Sequence, residues 1–151
     1  MKKNLVKGFV AGVIGAAVAT KVKSELEKVL PVRKRTTDSP PVKLANKLSK
    51  EELNKKEKKP VEKKIHWTFG LLTGGLYGVS VEKNPQAATG LGTLMGTALY
   101  GGTHGTVVPA LKLEPWPTEN KPEFVINEFV GHLVYGMTTE IIRRQTRKLL
   151  G

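Results

Sequence analysis

The chain contains no cysteine, which rules out a disulfide framework, a thiolate metal site and a thiol nucleophile. It also lacks a phosphate-binding glycine loop, a nucleophile paired with a base, and the paired carboxylates of a hydrolase. No enzyme and no cofactor are therefore expected. Acid is scarce: 13 Asp and Glu stand against 25 Lys and Arg, a formal net charge of +12 over 151 residues. Formal charge is absent from Ala87 to Leu111 altogether. Most of the charge lies before Lys64 and most of the apolar and glycine content after it, so the mean hydropathy of −0.24 averages two unlike materials. With apolar segments present, the positive balance points to anionic lipid or topology control, and not to nucleic acid.

Four apolar segments follow one another, and the fold they predict is all-α. It is a small polytopic membrane helix bundle of about four transmembrane helices with glycine-mediated packing. Residues 1–22 form the first helix, 23–64 a charged Lys/Glu/Pro-rich connector, and 65–151 a three-helix membrane core with a basic C-terminal end. In Leu5–Val22, Gly8 and Gly12 have the G-x-x-x-G spacing of closely packed membrane helices. A cleavable signal peptide is the rival reading, with Ala17-Val18-Ala19 resembling a cleavage site.

The connector has no aromatic residue. Pro31, Pro40, Pro41 and Pro60 punctuate it, and Leu26, Val29 and Leu30 continue the first helix. Ser49-Lys50-Glu51-Glu52 matches a capping box, which predicts a short charged helix over Lys50–Lys59. The connector reads either as a lipid or partner surface or as a solvated loop.

Ile65–Val81 is the second segment, roughly 26 Å long as a helix, with His66 and Trp67 at its start and Gly70, Gly74 and Gly78 along one face. Asn84 and Pro85 read as a cap and a first helical residue. Ala87–Leu111 carries Gly92 and Gly96 on one face. The run Gly101-Gly102-Thr103-His104-Gly105, with Pro109, predicts a kink or unwound stretch at its end. Glu114-Pro115-Trp116-Pro117 through Pro122 is a rigid connector with one aromatic anchor.

Phe124–Ile142 is roughly 28 Å long as a helix, yet it carries Glu128, His132 and Glu140. At about 100° per residue, Glu128, His132, Tyr135 and Thr139 fall in a wedge of roughly 60°. Ionisable groups inside a membrane are costly, face the bundle interior and have partners. Glu128, His132 and His104, with Tyr135 and Thr139, are accordingly the candidate proton or ion pathway, or else a buried polar centre that fixes packing. The spacing matches no recognised metal motif, so no metal is assigned. Glu140 with Arg143 and Arg144 has ion-pair spacing. Arg143, Arg144, Arg147 and Lys148 are the candidate lipid or partner contacts.

The run Ile126–Gly136, followed by Thr139–Arg144, resembles the C-terminal signature of the YagU-like family of bacterial inner-membrane proteins, through Glu128, Gly131, His132, Leu133, Val134, Tyr135, Glu140, Ile141, Ile142, Arg143 and Arg144. Weaker matches are Pro109, Leu111, Leu113, Pro115, Trp116, His104 and His66. The resemblance spans Ile65–Lys148 and implies a multi-pass inner-membrane protein of unknown molecular activity, linked to acid-stress survival and forming a dimer. Expected partners are the lipid bilayer, anionic lipid and a second copy of the chain. Lys2, Lys3, Lys7 and the C-terminal arginines favour cytoplasmic termini, and the connector's lysines favour the reverse. A scaffolding protein that recruits partners through the basic connector is the alternative function.

Overall fold

A computed structural model describes residues 3–34 and 36–151; Lys2 lies outside the described residues. All regular structure among them is helical. The long helices are α1 (Leu5–Val29), α3 (Lys55–Lys83) and α6 (Pro122–Leu149); α2 (Pro40–Ser49) lies in the connector. A 3-10 segment (Pro85–Gly92) leads to α4 (Thr93–Gly102), a π turn (Thr103–Val107) and α5 (Val108–Ala110). Helix α1 packs on both α3 and α6. It runs antiparallel to each, since Gly8 meets Gly78 and Gly12 meets Gly74 on α3, while Gly15 meets Thr139 on α6. Gly131 of α6 meets Lys23.

The helices meet through small residues. On α1 the buried positions are Gly8, Ala11, Gly12, Gly15, Ala16, Ala19, Thr20 and Lys23, one stripe at alternating three- and four-residue spacing. A Cβ added at Gly12 would lie 2.0 Å from the Gly74 carbonyl oxygen, and one at Gly78 would lie 2.0 Å from that of Gly8. Only hydrogen fits there, so the two backbones touch. Gly70 faces Thr20 and Tyr135, Gly92 faces the Gly136 carbonyl, and Gly96 faces the His132 carbonyl. Gly8, Gly12, Gly70, Gly74, Gly78, Gly92 and Gly96 therefore all stand at contacts between segments, joined by Gly15 and Gly136.

A core of small and apolar residues, Ala16, Ala19, Tyr77, Val81, Ala88, Met95 and Tyr135, shares the interior with charged groups, and many large apolar side chains face outward. The interior holds Glu128, His132, Glu140, Arg143 and Arg147, whereas Val6, Phe9, Ile14 and Val18 of α1 and Phe69, Leu72 and Leu76 of α3 are exposed. Ile126, Met137 and Ile141 of α6 are exposed as well. Among the described residues one helix, α1, is both long and apolar enough to cross a membrane. Helices α3 and α6 match it in length, but lysines at the start of α3, the glycines of α3 and the ionic residues of α6 lower their hydropathy.

Three local expectations need correction. Ser49 ends α2 and Lys50 turns left-handed (φ 59°), so the cap predicted there does not exist. Asn54 and Glu57 form the capping box instead, and α3 runs from Lys55 through Pro60 without a break. Pro60 is the sixth residue of α3, past the unpartnered amides of the first turn, so the helix continues there without the bond that an amide at 60 would donate to the Lys56 carbonyl. The third segment is not one helix from Ala87: Gly90 and Leu91 are left-handed (φ 64° and 54°) and Gly92 has φ 89°, which delays α4 to Thr93. Asn84 accepts from the Gln86 amide ahead of Pro85.

Candidate functional site

Helix α6 supplies the centre of the site. Its buried positions include Glu128, Gly131, His132, Tyr135, Gly136 and Thr139, a stripe facing α1 and α4, with Tyr135 reaching α3. One oxygen of Glu128 gathers three nitrogens. Lys23 Nζ donates to Oε1 at 2.9 Å, His132 Nδ1 lies 3.3 Å from it and His104 Nε2 3.6 Å. The other oxygen, Oε2, lies 4.0 Å from Arg33 Nη2. Lys23 also donates to Glu27 one turn further along α1. Arg33 reaches Glu62 and Glu114 at 3.7 and 3.6 Å.

The histidines are fixed by acceptors. His104 Nδ1 is 2.7 Å from Glu114 Oε2, and a carboxylate only accepts, so Nδ1 carries the proton. His132 Nδ1 is 2.9 Å from the Glu128 backbone carbonyl, which likewise only accepts. The two rings are edge to face with centroids 5.2 Å apart, and Tyr100 packs on both. His104 comes from the π turn, where one extra residue re-aims the side chains of the helix. The hydroxyl of Thr106 donates to the Gly101 and Gly102 carbonyls left open there, at 2.9 and 2.8 Å. A cavity of about 20 Å³ lies among Tyr100, His104, Glu114, Phe124 and Glu128, room for one water.

The structure brings Glu128, His132 and His104 together and places Tyr135 and Thr139 elsewhere. Tyr135 donates to the Gly70 carbonyl at 2.7 Å, tying α6 to α3. Thr139 is fully buried where α6 crosses Gly15. His66 is half-buried and makes no hydrogen bond to this set among the described residues.

A second ionic network lies about 18 Å further along α6. Glu140 is fully buried; it accepts from Arg143 at 2.7 and 2.9 Å, from Arg144, and from the Tyr77 hydroxyl at 2.8 Å. Glu82 accepts from Arg147 and from the Asn4 amide, and the Arg147 guanidinium holds its carboxyl below the ordinary range. Of the four cations expected to meet lipid or a partner, Arg143 and Arg147 are thus buried on carboxylates, while Arg144 and Lys148 are exposed. Sequence reasoning missed Lys23, Arg33, Glu114, Tyr77 and Glu82. Lys23 had a signal, since it continues the small-residue stripe of α1 at unchanged spacing.

Fold and site define an all-helical bundle that joins its helices through glycine and alanine and buries Lys23, Glu128, Glu140, Arg143 and Arg147 between them. A family described as "protein of unknown function (DUF1440)" matches residues 17–141, and the chain belongs to that family. No curated protein and no solved structure matches it.

Proposed function

We propose that the protein is a non-enzymatic, multi-pass protein of the bacterial inner membrane, and that Glu128, His132 and His104 form a cation site or ion pathway within it. The observation that carries this reading is the pattern of burial: leucine, valine, isoleucine and phenylalanine line the outside of α1, α3 and α6, while Lys23, Glu128, Glu140, Arg143 and Arg147 are buried among small and apolar residues. In water such a surface would aggregate, whereas in a bilayer it is the ordinary arrangement. The spans are Leu5–Val22, Ile65–Val81, the broken α4–α5 stretch and Phe124–Ile142. Thr93–Ala110 continues through its π turn for roughly 27 Å, and its irregular backbone stays satisfied by Thr106. Histidine is the side chain that changes charge near neutral pH, which suits the acid-stress role implied by the YagU-like resemblance.

Proton flux into liposomes, measured with chelator present across an imposed pH gradient, tests the reading. Flux that is lost in both His132→Ala and Glu128→Gln is the expected outcome. Flux no higher than in empty liposomes would leave the centre a packing element. Release of the native protein by alkaline carbonate without detergent would remove the membrane reading itself.

A second reading has its own observation. Lys43 and Lys58 are half-buried on α2 and α3, but Lys47, Lys50, Lys55, Lys56, Lys59, Lys63 and Lys64 are exposed at one end of the bundle. Such a surface suits anionic lipid or an acidic partner. Loss of vesicle binding on replacing Lys55, Lys56 and Lys59 by Gln, with flux unchanged, would favour it.

A further inference from the structure

We infer that the cation held at His104, Glu128 and His132 is a divalent transition-metal ion, bound in exchange for the ammonium group of Lys23. The inference rests on the cation-site reading above and names its ion. Three observations carry it.

First, one donor atom from each of the three residues lies within 4.8 Å of the others. Glu128 Oε1 is 3.6 Å from His104 Nε2 and 3.3 Å from His132 Nδ1. Bonds of about 2.0–2.1 Å at tetrahedral angles give donor separations of roughly 3.3–3.4 Å. Two of the three edges are therefore already the size of a metal site, and small side-chain rotations close the third.

Second, Glu114 accepts from the far nitrogen of His104 at 2.7 Å. This is the carboxylate–histidine arrangement that orients metal-ligating imidazoles. Glu114 is thus a positioning residue. The adjoining cavity leaves a fourth coordination position for one water.

Third, the charges do not cancel. The connected network holds the carboxylates of Glu27, Glu62, Glu114 and Glu128 against the cations Lys23 and Arg33. Two formal negative charges remain when the histidines are neutral, the charge of one divalent ion.

Lys23 stands where the ion would go, its Nζ 2.9 Å from the same oxygen. It has a second carboxylate, Glu27, to retain it when it leaves Glu128. On binding, the His132 proton moves from Nδ1 to Nε2, and Nδ1 gives up its contact with the Glu128 carbonyl. The ring stays neutral, so charge and protons balance. Imidazole and carboxylate donors without thiolate suit zinc, cobalt or nickel better than calcium or magnesium.

The test is titration of Zn²⁺ or Co²⁺ alone into the purified, chelator-stripped chain in detergent, read by calorimetry and by the visible absorption of bound Co²⁺. One saturable site with tetrahedral cobalt bands is expected. His104→Ala and Glu128→Gln should weaken binding at least tenfold, and Glu114→Gln should weaken it 10–100-fold and shift the cobalt bands. Lys23→Met should bind the ion more tightly, which loss of folding cannot imitate. Absence of saturable binding, or a Lys23→Met variant no tighter than the parent, would overturn the proposal. Proton flux without saturable metal binding in the same preparation would show that the site handles protons and not metal, whereas absence of both would remove the cation site altogether.

Discussion

Replacing Gly12 by alanine should destabilise the bundle, and the same substitution at Gly101 should stabilise it. At Gly12 the new Cβ would lie 2.0 Å from the Gly74 carbonyl oxygen and 2.9 Å from its carbon. A comfortable carbon–oxygen contact is about 3.3 Å, so α1 and α3 must separate by roughly 1.3 Å. No rotamer can relieve the clash, because both partners are backbone. Overpacking costs about 1–3 kcal/mol, and a gap of about 1 Å forfeits up to half of each dispersion contact along the contact line. Alanine returns about 1 kcal/mol as the better helix former, leaving a net loss of about 2 kcal/mol. At Gly101 a Cβ meets nothing within 4 Å, so only the gain of about 1 kcal/mol remains. Two chemically identical changes should therefore differ by about 3 kcal/mol. Far-UV circular dichroism of the purified protein in mixed micelles of increasing SDS content measures the difference. A Gly12→Ala midpoint at or above that of Gly101→Ala would refute backbone contact between α1 and α3.

Glu140→Gln should cost about 3–5 kcal/mol in the same assay, because it leaves Arg143 buried without its carboxylate; a loss under 1 kcal/mol would mean that water or lipid headgroups reach the arginine. Tyr77→Phe removes one neutral donor from a carboxylate that keeps two arginines, so a smaller loss of about 1.5 kcal/mol is expected. Acid should loosen the end of the bundle where α3 meets α6. The Glu82 carboxyl titrates lower in the folded state than in the unfolded one. Its contribution is full above the unfolded value of about 4.3 and is lost as pH falls through the folded value. Glu82→Gln should be less stable than the parent at pH 7 and should flatten this part of the acid dependence, as followed by melting from pH 7 to pH 3.

Much of the fold was legible because apolar segments and four-residue glycine spacing are local signals. Gly8, Gly12, Gly70, Gly74 and Gly78 needed no knowledge of partners to be placed on stripes. The missed cap shows where local signals compete: Ser49 and Asn54 both head plausible boxes. The outcome turns on Lys50, which ends α2 in a left-handed conformation. The break before α4 was hidden because Gly90 and Gly92 resemble the packing glycines on either side. Only φ separates those roles, and sequence spacing does not encode it. At the site, the Glu128–His132 pair was visible as neighbours one turn apart. Lys23, 105 positions from Glu128, and Glu114, on a separate connector, were not. Their roles depend on the antiparallel crossing of α1 and α6, which no periodicity specifies.

The order of the helices along the chain gives the Lys23–Glu128 pair a consequence for biosynthesis. Helix α1 is made first and α6 last, yet half of the α1 interface belongs to α6. While α2 to α5 are being synthesised, the lysine that the finished protein buries has no Glu128 to meet. Glu27, made four residues later, can hold the ammonium during that interval. Arrival of α6 then completes the α1 interface, so a nascent chain stalled before Asn127 should leave the Lys23 end of α1 uncovered and more open to proteolysis than in the finished protein.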